Sequence, residues 1–209
     1  MDQDSNSIGY APMSLAHHNV REVAALIYES APTLFDVIFG ARSIECLMAL
    51  VPRSHNRFSH QYIRIAEINH QVVGIAILLP AEQLNHNADY GEILSFSQRL
   101  WLKLAQQFIL RHLLRHDYPA GAFYLGNLAV ASEYRNQGIG RQLLSQCINA
   151  AANSPIFISV DSSNGRTQKL YESCGFQVVD TKVLSFLGTT IGSRILMWSA
   201  ADRPATTAL

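Results

Sequence analysis

The residues from Leu128 to Arg141, Leu-Ala-Val-Ala-Ser-Glu-Tyr-Arg-Asn-Gln-Gly-Ile-Gly-Arg, carry the strongest chemical signal in the chain. A strand ends at about Val130, a polar turn follows, and Gly138 and Gly140 open a helix whose apolar side is Ile139, Leu143, Leu144, Cys147 and Ile148. Amides at a helix N-terminus have no intrahelical partner and carry partial positive charge, so this order of elements suits a phosphate or pyrophosphate. The glycines let the backbone approach a ligand, and Arg135 and Arg141 add charge. A P-loop is excluded because no Gly-Lys-Ser/Thr follows. A dinucleotide fingerprint would place a third glycine where Leu143 stands, although Asp161 lies about the right distance downstream for a ribose.

Other polar groups are weaker candidates. His112 and His116 have i, i+4 spacing but lack the glutamate of a His-Glu-x-x-His site, so they read as a surface pair, and no metal site is expected. His55, His60 and His86 have no such spacing. Cys147 and Cys174 read as packing residues without a cation to activate them. Arg99, Lys103, Gln107, Arg111 and Arg115 form a polar ridge on one helix face, which reads as a solvated surface.

The elements that must position this chemistry follow from periodicity. Leu15 to Ser30 has helical spacing and ends before Pro32, and Thr33 to Leu50 reads as two short helices broken around Gly40. After the polar loop Pro52 to His60, Gln61 to Ile68 and Gln71 to Leu79 form a hairpin turning at Asn69-His70. Tyr90 to His116 reads as one long helix, Phe123 to Val130 as a strand, Gly138 to Ala152 as a helix and Pro155 to Val160 as a buried strand. Arg166 to Cys174 reads as a helix closed by Gly175. Phe176 to Leu187 and Ile191 to Ser199 then make a final hairpin through Gly188 to Thr190. This is a mixed α/β (α+β) order: residues 1–7 and 201–209 read as tails, and 8–200 as one domain.

Composition bounds the remainder. The chain has 209 residues, with 16 basic and 16 acidic side chains. Balanced charge argues against nucleic acid, whose binding needs an excess of Lys and Arg. Three cysteines without close spacing suit a reducing compartment, and apolar runs are too short to cross a membrane, so a soluble cytoplasmic protein is expected. With only 15% charged residues, apolar side chains such as Trp101 and Phe108 need cover from the sheet or from a second copy, so a homodimer is one reading.

Two motifs together resemble the GNAT superfamily of N-acetyltransferases. The first is Leu128-Ala129-Val130 followed by Arg135-Asn136-Gln137-Gly138-Ile139-Gly140. The second, after the strand Ile156 to Val160, is Asn164 through Leu170-Tyr171 to Gly175-Phe176. They stand in the family's order and at its usual separation, covering about Tyr124 to Val179 closely. The resemblance implies a central mixed, mostly antiparallel sheet flanked by helices, into which this chain sets a helical N-terminal part and a long helix between the third and fourth strands.

The resemblance further implies acetyl-CoA as acyl donor and an amine acceptor on a small molecule or a protein. Leu128, Ala129 and Val130 would offer backbone groups to the pantetheine arm, the amides from Arg135 through Arg141 would hold the diphosphate, and Asn164 would contact the cosubstrate beyond the loop. For Asn164, helix capping is the simpler role, compatible with that contact. Tyr171 would stand near the sulfur, able to protonate the leaving thiolate. The family often carries an acid just before Leu-Ala-Val, whereas this chain has Leu125, Gly126 and Asn127. Glu67, Asp89 and Glu92 are base candidates by sequence proximity alone, and ordered water is the expected route for the proton. An acyl-CoA-binding sensor without catalysis is the alternative that this missing acid suggests.

Overall fold

The computed structural model describes residues 7–105, 117–186 and 189–202. Its centre, among the described residues, is a seven-stranded sheet whose strands β1 (Gly9–Pro12), β2 (Ile63–Ile68), β3 (Gln71–Pro80), β4 (Phe123–Val130), β5 (Ile156–Asp161), β6 (Gln177–Phe186) and β7 (Thr189–Trp198) lie in the order β1-β2-β3-β4-β5-β7-β6. The first strand, β1 (Gly9–Pro12), is a short antiparallel edge on β2. The helices α1 (Val20–Ser30), α2 (Pro32–Phe39) and α3 (Ser43–Leu50) follow. Asn19 caps α1 by accepting from the Arg21 amide, and Pro32 ends that helix only to begin the next at its first turn, where its missing N–H costs nothing. The expected break at Gly40 is present.

β2 (Ile63–Ile68) and β3 (Gln71–Pro80) form the expected hairpin. Asn69 and His70 both have positive φ, as a two-residue turn matched to strand twist requires. β3 is buried along almost its whole length because helices cover both faces.

The segment expected as one long helix does lie between the third and fourth strands, but it is divided. α4 (Tyr90–Ile93) stops at the extended residue Leu94, and α5 (Phe96–Ala105) starts afresh. The physical cause is a capping box: the Gln98 amide donates to Ser95 Oγ at 3.3 Å while Gln98 Oε1 accepts from the Ser95 amide at 3.0 Å. Gln107, Arg111, Arg115, His112, His116 and Phe108 lie outside the described residues.

β4 (Phe123–Val130), α6 (Ile139–Ala150), β5 (Ile156–Asp161), α7 (Gly165–Glu172), β6 (Gln177–Phe186) and β7 (Thr189–Trp198) complete the order. Thr189 and Thr190, expected in the last turn, already belong to the ladder, paired with Phe186 and Ser185. β4 and β5 are the parallel pair; the other pairings are antiparallel.

Two apolar clusters sandwich the sheet. On one face α1 to α5 pack Ile27, Phe35 and Leu47 onto Ile65, Ile75, Ile77 and Phe157. On the other, Ile139, Leu143, Leu144 and Cys147 of α6 and Tyr171 of α7 pack onto Val73, Ala76, Leu125 and Ile158. Gly74 permits this closeness: a methyl group there would lie 3.1 Å from Leu143 and 3.3 Å from Ile139. Among the described residues no helix is long and apolar enough to cross a membrane.

Candidate active site

The site is built where β4 and β5 part. They pair at Phe123 with Ile156 and at Tyr124 with Phe157, and the ladder goes no further among the described residues. β4 then continues to Val130 with its other edge on β3, and β5 to Asp161 with its other edge on β7. Each strand therefore turns a free edge toward the other across a widening gap. Unpaired backbone N–H and C=O groups inside a protein are costly, and an extended ligand with amide groups answers them as an inserted strand does.

Sequence alternation on β4 is interrupted in the same place. Leu78 opposes Leu125 and Ala76 opposes Leu128, so Gly126 and Asn127 stand against the single residue Ile77 in a bulge. The bulge turns Asn127 toward α1, where its Nδ2 donates to Ser30 Oγ at 2.6 Å. Asn127 is 9% exposed, and its Oδ1 is buried without a partner. The one other such side-chain atom among the described residues is Ser159 Oγ, on β5 across the gap. Both diverging strands thus carry a buried polar side-chain atom without a hydrogen-bond partner.

The loop and helix N-terminus at the end of β4 leave backbone amides open, while the loop's side chains are engaged within the fold. Gly138 is the N-cap of α6 at φ +80°, with no side chain capping the helix, so the first-turn amides are left for a ligand. Asn136 is also left-handed, at φ +65°. The loop's side chains are spent on holding it. Arg135 Nε donates to the Val130 carbonyl at 2.8 Å and its guanidinium pairs with Glu29 at 3.6 Å; Gln137 donates to the Glu133 carbonyl at 3.3 Å; Asn136 Oδ1 accepts from Arg166. Arg141 reaches across to the end of α7, donating to Ser173 Oγ at 2.9 Å. Both arginines expected to bracket a diphosphate thus make hydrogen bonds within the scaffold. Ile139 is buried, while Gly140 packs ordinarily near Leu170 and Val130.

Leu128 and Val130 face the α6 side and Ala129 the α1 side, all within the free-edged part of β4. Asn164 caps α7, its Oδ1 accepting from the Thr167 amide at 3.1 Å. Asp161 accepts from the Ser163 amide and hydroxyl at 2.7 and 2.6 Å, so it shapes a turn, and one parallel strand pair does not make the run of parallel strands that a dinucleotide fold needs.

Tyr171 is 3% exposed, packed on Phe176 with ring centroids 5.6 Å apart. Burial, then the neighbouring Cys147, Tyr124 and Cys174, pushes its phenol far above the ordinary tyrosine range. Burial likewise pushes the Cys147 thiol up to about 12, which removes it as a nucleophile.

None of the acids considered from sequence stands at the bulge. Glu67 is on β2, two strands away, paired with His18 at 3.6 Å. Asp89 accepts from the His55 amide and from Asn56 Nδ2, both at 2.8 Å, and Glu92 pairs with Arg53. Sequence reasoning passed over Ser159, Ser30 and Arg57, whose placement depends on strand divergence and packing that periodicity does not encode. Among the described residues no group of three His, Cys, Asp or Glu is placed to hold a metal.

The fold is thus a half-open sheet with a helix N-terminus, free of any side-chain cap, at the end of β4. The acetyltransferase (GNAT) domain family matches residues 59–178, and the chain belongs to that family. Solved structures agree in fold. An N-acetyltransferase from Staphylococcus aureus Mu50 aligns with TM-score 0.67 at 16% identity over 90% of this chain and 99% of that one. A GNAT family acetyltransferase from Elizabethkingia anophelis, with acetyl-CoA bound, gives 0.52 at 18% over 94% and 99%. The ribosomal-protein-S18-alanine N-acetyltransferase from Escherichia coli gives 0.54 at 15% over 97% and 100%.

Proposed function

We propose that residues 8–200 act as one catalytic domain that transfers the acetyl group of acetyl-CoA to a primary amine. The divergence of β4 from β5 after Tyr124 and Phe157 carries this reading: it leaves two free strand edges facing one another, with the amides of Arg135 to Arg141 at the mouth. The pantetheine amides would pair with Leu128 to Val130, the diphosphate would sit on the loop and first turn of α6, and Asn164 would lie beside it. The gap passes through the sheet, so donor and acceptor meet from opposite faces. Tyr171 serves the α6–α7 side and Asn127 the α1 side.

The amine must be neutral to attack, and Asn127 cannot take its proton, so water removes it. Tyr171 faces the departing thiolate as a donor. Its raised pKa keeps it protonated through the physiological range, and its stabilisation of the thiolate is that of a hydrogen bond rather than an outright proton gift.

Calorimetry and a thiol-release assay over amino acids, polyamines, aminoglycosides and peptides test the reading. At 100 times Kd, acetyl-CoA should stabilise by about 2.7 kcal/mol and raise Tm by roughly 5–10 °C. No shift at saturation rejects the acyl-CoA site, and binding without release to any amine rejects the transferase.

A further inference from the structure

The α1 side of the bulge carries a cation, Arg57, with no ion-pair partner among the described residues. Arg57 lies in the loop between α3 and β2, and that loop is fixed in place. Asn56 is 1% exposed, donating to the Leu50 carbonyl at 3.0 Å and to Asp89 at 2.8 Å, and its own Oδ1 accepts from the Phe58 amide at 2.8 Å. From this footing the Arg57 guanidinium lies over the rings of Phe58 and Tyr124, with its carbon 5.4 and 6.0 Å from their centroids. A methyl group on Gly126 would be 3.6 Å from Arg57 Nη2, so the guanidinium rests against the bulge of β4 itself. It is half-buried, and among the described residues no carboxylate lies within ion-pair distance of it. Asp89, on the same loop system, is already taken by His55 and Asn56. A fixed guanidinium on an aromatic floor is the arrangement that binds a planar carboxylate.

The neighbouring orphan supplies the second point. Ser30 has one hydroxyl proton and gives it to the Ile27 carbonyl at 2.6 Å. It therefore meets Asn127 as an acceptor, which fixes the Asn127 amide with Nδ2 toward Ser30 and leaves the carbonyl Oδ1 as the atom without a partner. That atom asks for a donor. The next residue along β4 from the one Arg57 touches thus carries a buried acceptor without a partner.

We infer that the acceptor is an amine bearing its own carboxylate, of the amino-acid type, with the carboxylate on Arg57 and an amine N–H on Asn127 Oδ1. This rests on the transferase reading. In the step itself the neutral amine nitrogen bonds to the thioester carbonyl carbon, the carbon–sulfur bond breaks, and the sulfur leaves with the electron pair. The nitrogen's surplus proton goes to water and water returns one to the thiolate, held meanwhile by the Tyr171 hydrogen bond, so the products are the N-acetyl amino acid and the free thiol.

The test compares amino acids with their carboxamides and with the corresponding decarboxylated amines, by thiol release, in the wild type and in Arg57→Gln and Arg57→Lys. The wild type should favour the carboxylated acceptor in kcat/KM by about 100-fold or more. Arg57→Gln should raise KM for it by about 10- to 100-fold and collapse that preference, with Arg57→Lys between, while the acetyl-CoA Kd from calorimetry stays at the wild-type value. Equal wild-type rates on acid and carboxamide overturn the inference without needing a variant, as does a preference unchanged in Arg57→Gln or an acetyl-CoA Kd that rises with it. Acetyl-CoA bound with no carboxylated amine acetylated overturns it while leaving the cosubstrate site standing; no acetyl-CoA bound overturns both.

Discussion

Tyr171 shows how a residue's environment sharpens its role. A phenol on the surface would titrate near 10.0, close enough to a thiol to exchange protons with it; buried against Phe176 and Cys147, this one holds its proton far more tightly. Tyr171→Phe should therefore lower kcat by about 10- to 100-fold, the value of one hydrogen bond to a developing anion, with the acetyl-CoA Kd nearly unchanged. Full turnover in the variant would remove Tyr171 from the chemistry. The position of Tyr171 was legible in the motif, but its burial was not. The same limit holds for Arg135 and Arg141. Their charge and spacing are plain in the sequence, yet their hydrogen bonds go to Val130 and Ser173, partners fixed by how the end of β4 and the end of α7 meet α6. Arg57 gave no signal in the sequence, because its contacts with Tyr124 and Gly126 come from a strand distant along the chain.

At the scale of elements, the loop into α6 was the most legible part of the molecule, since two glycines after a polar turn open a run with helical apolar spacing. Gly138 and Gly140 nevertheless have different reasons. Gly138 adopts φ +80° in open space, so its need is conformational. At Gly140 a methyl group would make ordinary contacts of 3.8 Å with Leu170 and Val130. Gly138→Ala should cost about 1 kcal/mol in urea unfolding and weaken acetyl-CoA binding by displacing the first-turn amides, whereas Gly140→Ala should stay within about 0.5 kcal/mol and keep its Kd. Equal effects of the two would mean that space, not backbone conformation, sets this loop. Elements whose signals are local, such as the Asn69-His70 turn and the break at Gly40, were readable. β1 was not, being four residues long and containing a proline, and its pairing with β2 is a tertiary event. The break before α5 was readable in principle from Ser95 and Gln98, but the continuous apolar spacing across it masked the capping box.

For the whole molecule, low surface charge leaves pH stability to groups that the two clusters have swallowed. Cys147 and Tyr171 lie in the cluster beneath α6 and α7, and Tyr90 in the one beneath α1 to α5. Burial raises all three: Cys147 from 9.0 to about 12, and both tyrosines well above 10.0. Each folded value exceeds the unfolded one, so the folded state keeps its proton at a pH where the unfolded chain has released it. The associated stability is fully present below the unfolded values and is lost as pH rises toward the folded ones. The loss begins near pH 9, where unfolded Cys147 ionises, and steepens above pH 10 when the two tyrosines join, each group contributing up to about 1.4 kcal/mol per pH unit. By pH 11 the combined loss reaches the order of 5 kcal/mol, comparable to a domain's whole stability. Tm should thus be level from pH 7 to about 8.5 and fall progressively beyond 9. Tyr171→Phe should make the fall above pH 10 shallower, and Cys147→Ala, though lower in Tm throughout, should delay its onset. Slopes identical to the wild type in both variants would show that other groups drive the alkaline loss, and that these two do not titrate as their burial requires.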